Sequence, residues 1–162
     1  MGFHGGLNYS GIHTVREITA ATFTVTADMS GDVLIIDRVA GDGNSCTITL
    51  PSTTTTEVGF QITIINKTAF HTIAGPWESH GTLTIAQESD GNDVLYGGIW
   101  AASSHNAKPA DYFANAVDTK DIVLVNGHAG AGTWFELTLL GTNAWQIIGT
   151  TVTSGTPGTP FA

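Results

Sequence analysis

Positive charge is scarce in this sequence: five Lys and Arg side chains stand against fourteen Asp and Glu, for a formal net charge of -9 over 162 residues. A chain of that sign repels a phosphate backbone, where cationic contacts supply most of the affinity, so nucleic acid is a poor candidate partner and none is expected. Cysteine is nearly absent. Cys46 stands alone, cannot form an internal disulfide, and lies in the alternating run "SCTITL", where a small apolar side chain suits a strand. Long apolar runs are missing too, since none approaches the roughly 20 residues a membrane-spanning helix needs. Met1 is followed by "GFHGGLNYS" and not by a charged-then-apolar signal pattern, so the expectation is a soluble chain made in a cytosol, without membrane contact.

With only 12% charged residues against 41% hydrophobic, solubility must rest on Thr, Ser, Asn and Gly, a balance typical of exposed β-structure. The length suits one domain with a core large enough to fold unaided. From Thr19 to about Thr153 the apolar residues alternate with polar ones in short bursts: "TFTVTA", "VLIIDR", "CTITL", "FQITII", "TLTIA", "DVLYG", "DIVLV", "WFELTLL" and "WQIIGT". Clusters such as "DMSGD", "AGDGNS", "PSTTTTEVG" and "LGTNA" punctuate them and read as turns. The expected fold is therefore all-β, an antiparallel sandwich or barrel of jelly-roll type, with Phe23, Val25, Ile48, Leu50, Phe60, Ile62 and Ile64 pointing inward. The one stretch suited to a helical turn is "KPADYFANAVDTKD", where Pro109 and Asp111 fit a first turn.

Three segments follow. Residues 1–18 are rich in Gly with scattered apolar side chains and read as an extended N-terminal arm, residues 19–153 as the β-domain, and residues 154–162, "SGTPGTPFA", as an irregular tail.

Four aspartates crowd "DMSGDVLIIDRVAGDGNSCTITLP", residues 28–51, and each has a backbone explanation. Asp28 and Asp32 flank a Ser30-Gly31 turn, Asp37 follows the apolar run "VLII", and Asp42 sits in a second turn. Asp37 and Arg38 are adjacent, so a regular strand points them to opposite faces and leaves Arg38 as a candidate subunit-interface residue. Neither this stretch nor "ESDGNDV" keeps the order of an EF-hand loop, although Glu88, Asp90, Asn92 and Asp93 remain an alternative calcium set beside a plain acidic turn.

The six histidines, His4, His13, His71, His80, His105 and His128, show no His-x-His or His-Glu-x-x-His spacing, and no metal or cofactor is expected. Only symmetry-related arms would gather copies of His4 or His13. A Gly-x-Ser-x-Gly elbow and a Cys beside a His are both missing, so no catalytic residues are assigned and no enzyme is expected. Trp77 beside Glu78 in "GPWESH" is the nearest approach to a sugar site, with a capped core Trp as the plainer reading.

Two stretches carry a resemblance. "ITAATFTVTADMSGDVLIIDRVAGDGNSCTITLPSTTTTEVGFQITIINKT", residues 18–68, has a Thr-rich strand, a Ser-Gly turn, an apolar strand ending in Asp-Arg, a Gly-rich loop and "TITLP". The closing "GTWFELTLLGTNAWQIIGT", residues 132–150, has an aromatic strand, a Gly-Thr-Asn turn and a Trp-containing strand. Together they resemble head-decoration and fibre-type structural proteins of tailed bacteriophages. The resemblance implies a virion structural protein without catalysis, often a homotrimer. Its first form is a capsid decoration (cement) protein on the outer surface of the head, stabilising contacts between major capsid protein subunits. The alternative is a tail-fibre or receptor-binding module for host surface carbohydrate, in which Trp77 or Trp100 would line the groove. The apparent end of the chain just after one domain favours the first. On that reading Phe3, His4, Leu7, Tyr9, Ile12 and Arg16 contact the capsid, with Gly2, Gly5, Gly6 and Gly11 letting the backbone follow a partner's surface.

Overall fold

The computed structural model describes residues 14–37, 45–67, 81–87, 93–103, 111–114, 121–124 and 130–153. These residues build two β-sheets. The larger runs in the order β1 (Val15–Ile18), β3 (Val33–Ile36), β5 (Gln61–Asn66), β10 (Trp134–Gly141), β11 (Ala144–Thr153), β7 (Val94–Ser103), β8 (Asp111–Ala114). The smaller contains β2 (Thr22–Thr24), β4 (Cys46–Thr49), β6 (Leu83–Ala86) and β9 (Ile122–Leu124). A single 3-10 turn, Ala27–Met29, lies between β2 and β3.

All-β architecture is thus as expected, but the strand directions are mixed. Through β6 the chain alternates between the sheets, so each strand returns beside its predecessor in the same direction: β1, β3 and β5 are parallel, and so are β2, β4 and β6. Antiparallel pairing enters with the β10–β11 hairpin, with β5 against β10, β6 against β9 and β7 against β8. The physical reason is plain. Period-two alternation decides which side chains face the core and is blind to strand direction, and the turn clusters of the first half carry the chain across to the opposite sheet.

One apolar cluster joins both sheets. Leu34, Ile36, Ile62, Ile64, Phe135, Leu137, Trp145 and Ile147 of the larger sheet and Cys46, Ile48, Leu83, Ile85, Ile122 and Leu124 of the smaller all belong to it, each at most 1% exposed. Of the residues expected inward, Val25, Ile48, Leu50, Phe60, Ile62 and Ile64 are buried, and Phe23 is partly buried against the same cluster. Cys46 packs there as a small hydrophobe, its thiol 3.7 Å from the carbonyl oxygen of Ala20.

Two segments differ from expectation. Val15–Ile18, the last four residues of the expected arm, are a strand paired with β3, because Ile18 reaches the core and Arg16 on the same face finds the Asp32 carboxylate, while Val15 stays exposed on the other face. In the stretch expected to hold a helical turn, Asp111–Ala114 is strand β8, pairing antiparallel with β7. Tyr and Phe side by side suit opposite faces of a strand, and the long β7 offers an open edge.

Candidate functional site: the outer face of the larger sheet

Residues directly opposite each other across a ladder share a sheet face, so the registers give the outer surface of the larger sheet row by row. One row crosses all seven strands: Glu17, Ile35, Ile65, Trp134, Thr150, Trp100 and Tyr112. The next holds Val15, Val33, Thr63, Glu136, Ile148 and Gly98, and a third holds Gln61, Thr138, Gln146 and Tyr96. Their inward neighbours, among them Phe135, Leu137 and Ile147, form the core.

The outer face is unusually aromatic. Tyr96 (47% exposed), Trp100 (55%), Tyr112 (52%) and Trp134 (37%) are all exposed, and among the described residues no other aromatic side chain is. Ile148 lies among them, 46% exposed. Trp100 and Tyr112 pack ring against ring with centroids 5.0 Å apart and planes tilted by 49°. Gly98 makes this possible: a Cβ there would lie 2.2 Å from the Tyr112 hydroxyl oxygen, so the tyrosine ring lies over a strand position emptied of side chain. Glycine weakens a strand interior, and its presence here marks a close approach. A glycine covered by a cross-strand aromatic also recovers part of that loss.

The β1 end of the same face is aliphatic, with Val33, Ile35 and Ile65 half-buried and Val15 exposed. Lys67 donates to Glu17 at 3.0 Å and to Asp37 at 2.5 Å, closing this corner with a three-residue ion network. Both bonds favour the charged amine, so the Lys67 pKa is raised, chiefly by Asp37.

Of the residues assigned to capsid contact, Phe3, His4, Leu7, Tyr9 and Ile12 lie outside the described residues, as does Arg38. Arg16 is described, and it points to the core side of β1 in register with Leu34. There its Nε donates to the buried Asp32 at 2.6 Å, while the Thr14 backbone N–H donates to the other carboxylate oxygen at 3.1 Å. Arg16 therefore fastens an edge strand. The six histidines, Trp77, Glu78, Glu88, Asp90 and Asn92 are outside the described residues. Asp93 is described and buried, and its carboxylate accepts a hydrogen bond from the Thr53 hydroxyl at 3.0 Å. The same hydroxyl accepts the Asn143 N–H at 3.1 Å, tying the start of β7 to the β10–β11 turn.

Among the described residues no group of three or more His, Cys, Asp or Glu side chains is placed to hold a metal ion, and no helix is long and apolar enough to cross a membrane. A recess of about 500 Å³ opens between the 3-10 turn and residues 55–60, with Asp28 and Glu57 on its wall. Asp28 accepts a hydrogen bond from the Thr26 hydroxyl and from its own backbone N–H, which together hold its pKa below the ordinary 3.8.

No family model, curated protein or solved structure matches this chain. Trp100 was named in the sequence as a groove residue, but Tyr96, Tyr112 and Trp134 were missed because the aromatics are irregularly spaced, and only the ladder registers bring Trp134 and Trp100 into one row. One signal was available: in "GIWAA" and "TWFEL" a tryptophan occupies the parity opposite to the core residue beside it, Ile99 or Phe135.

Proposed function

We propose that this protein is a non-enzymatic virion structural protein, a decoration or cement protein that binds the outer surface of a phage head and joins neighbouring major capsid protein subunits. The observation that carries the proposal is the anchoring of β1. The N-terminal segment, rich in Gly and apolar side chains, enters the domain through an edge strand held by the Arg16–Asp32 pair and by the Thr14 N–H bond to the same carboxylate. An edge strand fixed in this way transmits load from an attached arm to the sheet. Beside it, exposed Val15 extends the aliphatic end of the outer face and offers a partner apolar area.

Assembly as a homotrimer fits the same scheme, because three arms on one body turn weak contacts into avid ones. The net charge of -9 suits the exterior of a particle, where it repels stray nucleic acid and other particles. Deletion of residues 2–13 tests the proposal. The shortened chain keeps the β1 anchor, so its thermal melt stays near that of the full chain while its co-sedimentation with expanded capsid shells falls sharply. Equal retention of both chains on shells refutes arm-mediated docking, and failure of the full chain to bind shells refutes the decoration role.

A further inference from the structure

We propose that the β10–β11–β7–β8 half of the outer face is a binding site for a neutral polysaccharide chain lying across the strands. Trp134 and Trp100 stand in one row with Thr150 between them, two strand separations or about 9–10 Å apart, and Tyr112 continues the row one strand further. Such a row sets aromatic rings against which the C–H faces of a sugar chain pack. Thr150 within the row and Glu136 in the next row supply hydroxyl and carboxylate partners for the sugar hydroxyls, with the Gln146 amide and Thr138 hydroxyl one row further on. The tilt of Tyr112 against Trp100, seated over Gly98, fixes two of the rings before any ligand arrives, which lowers the ordering cost of binding.

Charge and area decide the class of occupant. Glu136 is the one charged side chain in the three rows on these four strands, so an anionic polymer meets no cation there while a neutral hydroxylated one meets no penalty. The four strands span three separations of about 4.8 Å, and the three rows span about 14 Å along them, giving a projected area on the order of 200 Å². A strip of that width and length matches a narrow linear ligand lying across the strands. This inference is independent of the shell-binding proposal, because it uses the opposite end of the sheet and a different ligand.

Calorimetric and tryptophan-fluorescence titration of the full chain with hexasaccharides of β-1,4-glucose, β-1,4-xylose, α-1,4-glucose and β-1,4-N-acetylglucosamine tests it, with dextran sulfate as the anionic control. Saturable binding of at least one neutral hexasaccharide is expected, weakened tenfold or more by Trp100→Ala and by Trp134→Ala. Trp100→Phe, which keeps a ring on the face, retains part of the affinity and serves where the alanine variant does not fold. No saturation by any neutral hexasaccharide up to ~10 mM overturns the proposal, since a contact of Kd about 1 mM would register there. So does binding that the ring substitutions leave unchanged, and so does stronger binding of dextran sulfate. A wild-type dimer in sedimentation that Trp100→Ala dissociates overturns it in favour of a second copy.

Discussion

Ile62 shows how much a single inward position carries. It is fully buried in the apolar cluster and pairs with Leu137 in the middle of the larger sheet. Ile62→Ala is expected to cost about 2–5 kcal/mol, read as a shift in the urea midpoint with unchanged slope. Asp28 gives the pH prediction. Its carboxyl is held below 3.8 chiefly by the Thr26 hydroxyl, so its stabilisation is fully present above that ordinary value and is lost as pH falls through the lower folded value. In Thr26→Val the Asp28 pKa should rise toward 3.8, as followed by carboxyl carbon NMR shifts; an unmoved titration means that the Thr26 bond is not the cause.

The strand β1 marks the boundary of what was legible in the sequence. Strong alternation exposed β4, β5 and β10 and put six of seven expected side chains inside, because burial on one face of a strand leaves a period-two trace. β1 is four residues long with two charges, and the role of Arg16 depends on Asp32, sixteen residues away and folded against it from the inner side. No local pattern records such a pairing. The aromatic face was hidden in the same way, since Trp100 and Trp134 become neighbours two strands apart only through the parallel β7–β11 and antiparallel β10–β11 registers. At this scale the expectation concerns the Asp32 anchor. Asp32→Ala removes a charge-assisted bond and leaves the Thr14 N–H without its acceptor, a loss of about 1.5–3 kcal/mol. The β1 amides should then exchange with solvent faster than those of β5. Unchanged protection at residues 15–18 would show that β1 is held by its ladder with β3 alone.

For the whole molecule the decisive fact is that the middle of the larger sheet comes from the end of the described chain. β10 and β11 sit between β5 and β7, so without them the sheet falls into β1–β3–β5 on one side and β7–β8 on the other. The hairpin also contributes Phe135, Leu137, Leu139, Trp145 and Ile147 to the core, all fully buried, and Trp145 meets Phe60 edge-on with centroids 5.9 Å apart. At about 1.5–3 kcal/mol for each large side chain, those five account for roughly 8–15 kcal/mol of burial, as much as the net stability of an ordinary domain. A chain ending at residue 133 should therefore show no cooperative thermal transition by far-UV circular dichroism and should be cut rapidly by protease. The full chain should refold only after its last strands are present, on the slow millisecond-to-second scale of folds dominated by distant pairings. A cooperative melt of the truncated chain near the temperature of the full one would mean that the first nine strands form a core of their own, and the sheet order would then be an assembly of two units instead of one.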